Sequence, residues 1–135
     1  MGFTTNITVR FADCDPVGFV YYPRVLHYCH VCMEEFFAER CGITYQKLLD
    51  DERIGFATVK IEAEYFVPLL YGDIVEVELT ITDLGRSSAL FNYSVKRAND
   101  SVLCAQSSQV QVAMDIDRRK AIPLPEKYRL AFSSD

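Results

Sequence analysis

One long stretch of this chain repeats its apolar residues with a helical period. From Arg24 to Arg40, Val25, Cys29, Cys32 and Phe36 fall on one line, and Leu26, Met33 and Phe37 widen it. Spacings of three and four bring such side chains to one face of an α-helix. Glu34, Glu35 and Glu39 take the polar positions, and Gly42 follows as a stop signal. The breadth of the stripe predicts a helix buried on more than one side. A short second helix is expected over Tyr45–Asp51.

The rest of the chain reads mainly with period two. Residues 5–11 alternate, so that Ile7, Val9 and Phe11 share one face of a strand. Residues 54–67, Asp73–Asp83, Ser87–Lys96 and Val102–Met114 continue as strands, with turns at Leu84–Ser87, Ala98–Ser101 and Asp115–Arg119 and a proline-bearing tail. Successive strands joined by short turns predict an antiparallel meander. One apolar helix among strands has to be covered by sheet, which makes the chain α+β, a long central helix wrapped by a curved antiparallel sheet. The 135 residues form one domain by length, and with 50% apolar residues they supply a core without staples.

Charge and cysteine content narrow the function. A net charge of −5 argues against nucleic-acid binding, which needs cationic surface to neutralise phosphates. No apolar run reaches spanning length, and no apolar leader opens the chain. The five cysteines, an odd number, read as reduced thiols of a cytoplasmic protein. Cys29 and Cys32 have redox-motif spacing but lie within the helix stripe, where buried thiols are expected. His27, His30 and Glu34 could share a helix face. They read as polar surface, because no second histidine cluster exists to complete a metal site. No cofactor is called for.

The densest chemistry lies between the first strand and the helix, in Asp13-Cys14-Asp15-Pro16-Val17-Gly18-Phe19-Val20-Tyr21-Tyr22-Pro23. Two acids, a glycine and prolines suit a turn with a helix cap. They equally suit a carboxylate held beside a helix N-terminus, where N–H groups stabilise developing negative charge. Residue types alone leave both readings open.

Residues 7–25 resemble the signature of the 4-hydroxybenzoyl-CoA thioesterase family, and Lys60–Pro68 with Tyr71-Gly72-Asp73 are similar to its second strand and following turn. The resemblance runs along nearly the whole chain. It implies a hotdog fold, hydrolysis of an acyl-CoA thioester, and a homodimer or homotetramer with active sites between subunits. The family's catalytic aspartate matches Asp15, and its carbonyl-polarising N–H matches Tyr22. Gly18, within the signature, is placed at the substrate. Tyr22 stands where short-chain relatives have His and hydroxybenzoyl-type enzymes have Tyr, which favours an aromatic or longer acyl group. The chain departs from the pattern at Val25, usually Tyr, and at His30, usually an acid. The match places His30 near the acyl pocket. Regional similarity assigns the coenzyme A phosphates to Arg86 with Ser87 and to Arg118, Arg119 and Lys120, basic residues of two turns.

Two rivals share the fold. A non-catalytic acyl-CoA-binding module would not need Asp15. A dehydratase would need a His with an acid, and neither His27 nor His30 lies in the loop setting such enzymes use.

Overall fold

The computed structural model describes residues 2–134. In chain order the elements are β1 (Phe3–Thr8), a single 3-10 turn (Phe11–Asp13), α1 (Tyr22–Arg40), α2 (Tyr45–Asp50), β2 (Ile54–Tyr65), β3 (Ile74–Thr82), β4 (Ser88–Arg97), β5 (Val102–Asp115), β6 (Lys120–Ala121) and α3 (Glu126–Ser133). None of the helices is long and apolar enough to cross a membrane.

The helix starts two residues earlier than its apolar period, because Pro23 fits the first turn, where no N–H is needed. It ends at Arg40, and Gly42 takes a left-handed φ of +70°. Its buried residues are Val25, Tyr28, Cys29, Cys32, Met33, Phe36 and Phe37. Steps of three and four make these one broad face; His27, His30, Glu34 and Glu35 stay exposed opposite. The expectation of burial on several sides is therefore corrected to burial on one. Tyr28 extends the stripe, its hydroxyl being paired with Asp13.

Against that face lie the alternate residues of the strands, Val75, Val77 and Leu79 from β3 and Ala89, Phe91, Tyr93 and Val95 from β4. The sheet order is β1-β3-β4-β5-β2, antiparallel throughout, with β6 added to the end of β5. Only β3, β4 and β5 form the expected meander. β2 does not pair with β3; it crosses to the far edge and pairs with β5 from Ile54↔Asp115 to Tyr65↔Ala105. The segment between Tyr65 and Ile74 is too long for a tight hairpin, and it leaves the sheet to pack against the loop before α1, through Val20 N–H to the Leu69 carbonyl at 2.9 Å.

One further expectation is corrected. The first strand ends at Thr8. Phe11 leaves the strand face and is 79% exposed, because the Asp13 carboxylate accepts from the Arg10 N–H at 2.9 Å and bends the chain into the 3-10 turn. The proline-bearing tail, to which the sequence reading assigns no element, contains a helix. Pro125 opens α3, which inserts Phe132 among Phe36, Phe37, Phe56 and Phe91, with ring centroids 5.4–5.9 Å apart.

Candidate active site

The two acids of the loop are held in different ways. Asp13 is buried. Its Oδ2 accepts from the Arg10 N–H and, at 2.8 Å, from the Tyr28 hydroxyl; Arg24 Nε stands 3.7 Å from its Oδ1. Its own carbonyl accepts the Tyr21 N–H at 2.8 Å. Burial, then the Asp13 hydrogen bond, pushes the Tyr28 hydroxyl well above the usual tyrosine range, so it stays a donor. Asp13 thus ties the start of the loop to its end and to α1.

Asp15 closes a tighter turn within that loop. Its N–H donates to the Phe19 carbonyl at 2.8 Å, and its carbonyl accepts the Gly18 N–H at 2.9 Å. Oδ1 accepts the N–H groups of Val17 at 3.0 Å and Phe19 at 3.3 Å. Oδ2 has no protein partner among the described residues. One oxygen therefore fixes the carboxylate and the other stays available. Gly18 makes the turn possible with a φ of +95°, a backbone state that a side chain would strain.

The start of α1 leaves a single donor open. Tyr21 precedes the helix without a side-chain cap, and its N–H is taken by Asp13. Pro23 has no N–H, and the Arg24 N–H donates to the Tyr21 carbonyl at 2.8 Å. Between them the Tyr22 N–H has no partner among the described residues. Tyr22 and Asp15 line one cavity of about 400 Å³, walled by Phe19, Val25, Tyr65, Leu69 and Ala105 among others. Asp15 also borders a second hollow of about 600 Å³ with Cys14, Arg24 and His27. A larger hollow, about 790 Å³, lies on the sheet face turned from α1, between Glu62, Glu78, Asn92 and Ser108. Neither Asp15 nor Tyr22 lines it.

Of the residues singled out from the sequence, the structure brings Asp15 and Tyr22 together. Gly18 shapes the loop but lines neither cavity beside Asp15. His30 lies outside the cavity within one chain, 3.0 Å from Glu34 and edge-on to Tyr45 at 5.6 Å. Arg86, Ser87, Arg118, Arg119 and Lys120 gather at the opposite end of the sheet. The Ser87 carbonyl accepts the Ala113 N–H at 2.8 Å, and Lys120 pairs with Asp115. From Ala113 to cavity-lining Ala105 is eight residues of β5, about 26 Å at about 3.3 Å per residue. One chain does not unite these residues with Asp15.

Sequence reasoning gave no role to the cavity walls Tyr65, Phe66, Leu69, Cys104 and Ala105. The only signal was the run of aromatic residues closing β2. The five cysteines are free. Burial pushes the thiols of Cys29 and Cys32 up to about 12 and that of Cys41 to about 11, so none of these three is a thiolate nucleophile at neutral pH.

Residues 9–132 match the family model of the thioesterase-like superfamily. The chain belongs to this superfamily. It is a hotdog thioesterase, with the curved antiparallel sheet and long helix of that fold. Among curated proteins it is 31% identical over 120 residues to the 1,4-dihydroxy-2-naphthoyl-CoA hydrolase of Synechococcus elongatus, covering 88% of this chain and 86% of the relative. It is 26% identical to the acyl-CoA thioesterase YbgC of Haemophilus influenzae, covering 97% and 94%. Among solved structures, a 1,4-dihydroxy-2-naphthoyl-CoA thioesterase from Synechocystis superposes with a TM-score of 0.89 at 26% identity, covering 98% of this chain and 96% of that one. A mutant of 4-hydroxybenzoyl-CoA thioesterase complexed with 4-hydroxybenzoyl-CoA gives 0.87 at 26% identity, covering 96% and 97%.

Proposed function

We propose that this hotdog thioesterase hydrolyses an acyl-CoA thioester, with Asp15 as the reacting carboxylate and the Tyr22 N–H as the donor to the carbonyl oxygen. One observation carries the reading: a carboxylate anchored through Oδ1 with Oδ2 free shares a cavity with an unpartnered N–H at the start of a 19-residue helix. The thioester carbonyl lies against that N–H, where the helix dipole favours the charge that develops on oxygen. Oδ2 then attacks the carbonyl carbon and expels the coenzyme thiolate, and water opens the resulting mixed anhydride to the free acid. Alternatively, Oδ2 takes a proton from a water that attacks in its place. Incorporation of solvent ¹⁸O into Asp15 in a single turnover distinguishes the two.

The distance from Asp15 to the basic clusters favours a homodimer formed through β2, one of the two edge strands of the sheet. From Val59 onward its residues are exposed on both faces, Val59 at 62% and Ile61 at 47%. Antiparallel pairing of two such edges would set the Ile54 end of the partner beside the Tyr65 end of this chain. That arrangement carries Arg86, Ser87, Arg118, Arg119 and Lys120 of the partner subunit toward this chain's Asp15 cavity, and brings the two α1 faces bearing His30 together over the shared sheet. Two such dimers could join as a homotetramer. Tyr21, Tyr22, Tyr65 and Phe66 give the cavity an aromatic wall. The relatives' names, all acyl-CoA hydrolases and several for hydroxylated aromatic acyl groups, support an aryl or medium acyl substrate. Five free thiols suit a cytoplasmic enzyme.

Release of free thiol from a panel of acyl-CoAs tests the reading. Wild-type protein should liberate coenzyme A from at least one aryl or medium-chain thioester, and Asp15→Asn should not. Binding without thiol release would make the chain a binding module, and hydration of an enoyl-CoA without thiol release would make it a hydratase.

A further inference from the structure

The Tyr22 N–H lies between two tethered neighbours, and the two tethers come from different parts of the fold. On one side the Tyr21 N–H is held by the Asp13 carbonyl at 2.8 Å. On the other, the Tyr22 carbonyl accepts a hydrogen bond from the Tyr65 hydroxyl at 3.3 Å. A carbonyl has two lone pairs, so this bond adds to the helical one without displacing it. Tyr65 is the last residue of β2, and its ring meets the Tyr22 ring edge-on with centroids 6.3 Å apart. Tyr22 in turn packs against Tyr21 at 5.3 Å. Burial raises the Tyr65 hydroxyl above its ordinary range, so at neutral pH it is a donor.

We infer that Tyr65 is a positioning residue, which aims the Tyr22 N–H at the thioester carbonyl by holding the Tyr22 carbonyl from the edge strand. The inference rests on the proposed role of the Tyr22 N–H. It does not make Tyr65 touch the reacting atoms. An uncapped helix start frays readily, because its first turn lacks the side-chain hydrogen bond that Ser, Thr or Asp would give. Here a tyrosine from the sheet supplies an anchor on the carbonyl side of the same residue. The anchor belongs to the strand whose free edge is proposed to pair with a second copy, so order at that edge is transmitted to the donor.

The consequence is a split between binding and turnover. Tyr65→Phe keeps the ring and its edge contact with Tyr22, and removes only the hydroxyl. Loss of one neutral hydrogen bond that acts on transition-state geometry should lower kcat by about three- to tenfold with KM changed less than about twofold. The melting temperature should be unchanged. A second measurement uses Asp15→Asn, which should hold the thioester without cleaving it. The infrared carbonyl band of a ¹³C-labelled bound thioester should lie below its solution frequency in Asp15→Asn. It should move part of the way back when Tyr65→Phe is added, at an unchanged dissociation constant. A shifted band that Tyr65→Phe leaves in place, or an effect on KM alone, overturns the inference and leaves the Tyr22 reading standing. A band already at its solution position in Asp15→Asn overturns the Tyr22 reading and this inference with it.

Discussion

Asp13→Asn and Asp15→Asn make the same atomic change two residues apart, and the geometry gives them opposite consequences. In Asp13→Asn the amide oxygen can keep the place of Oδ2, still accepting from the Arg10 N–H and the Tyr28 hydroxyl. Both bonds lose their charge assistance, about 1 kcal/mol each. The amide nitrogen then faces Arg24, 3.7 Å away, donor against donor, in place of a half-exposed ion pair worth about 0.5 kcal/mol. The sum is about 2–3 kcal/mol. At about 3–5 °C per kcal/mol for a chain of this size, the melting temperature should fall by about 6–15 °C. Below that temperature turnover should stay within about threefold of wild type. In Asp15→Asn the amide oxygen keeps the Val17 and Phe19 N–H groups, and only the free oxygen becomes an amide nitrogen. Stability should move by less than about 2 °C, while kcat falls at least about a thousandfold, or about 4 kcal/mol of barrier. Thermal unfolding followed by circular dichroism and thiol release from the best acyl-CoA measure the two quantities on the same preparations. Equal loss of activity in both variants at full folding would refute the division of labour. So would more than about a tenth of wild-type rate in Asp15→Asn.

Arg118→Glu with Arg119→Glu should raise KM for an acyl-CoA at least about tenfold while leaving kcat within about twofold, since phosphate contacts act alike on ground and transition states. The effect should shrink with added salt and vanish for an N-acetylcysteamine thioester; an equal loss on both substrates would make the cluster structural. Val59→Lys with Ile61→Lys should yield a monomer by light scattering and abolish thiol release; a fully active monomer would refute a site shared between subunits. Glu52 is held below the ordinary carboxylate value of 4.5: burial opposes its charge, but hydrogen bonds from Lys127 and Tyr128 outweigh that. A carboxylate with a depressed folded value contributes stability above its unfolded value and loses it as pH falls through the folded one. The attachment of α3 should therefore hold at neutral pH and weaken below about pH 4.5; in Glu52→Gln this acid step should be absent, as followed by hydrogen exchange at Tyr128 and Phe132.

The long helix was legible because seven buried positions repeat every three or four residues, a signal that survives without any partner in view. The three central strands were legible for the same reason in period two. What periodicity cannot carry is which strand lies beside which. β2 alternates as well as β4 does, yet its partner is set by a connection that leaves the sheet to brace the loop at Val20 and Leu69. Phe11 was misplaced because the alternation of residues 5–11 continues past the point where a side chain, Asp13, captures the backbone. Helix α3 carries Tyr128, Leu130, Ala131 and Phe132 within eight residues, and the exposed Leu130 between the two buried aromatics blurs the period. At the site, the loop acids and the helix start were visible as residue types. The difference between Asp13, spent on three partners, and Asp15, with one oxygen free, is a matter of hydrogen bonds that no spacing encodes.

The crossing of β2 to the far edge also sets an order of events when the chain is made. β2 is finished at Tyr65, but its strand partner, β5, is finished at Asp115, fifty residues later. At about 5–20 residues per second, the ribosome leaves that strand without its ladder for about 3–10 seconds, with Val59, Ile61, Tyr65 and Phe66 available to any neighbouring chain. β1, by contrast, finds β3 as soon as residue 82 has emerged. During synthesis the β1-β3-β4 ladder can therefore form before β2 meets its partner β5. A nascent chain paused before β5 would present the edge proposed for dimer pairing before it has a fold to attach it to.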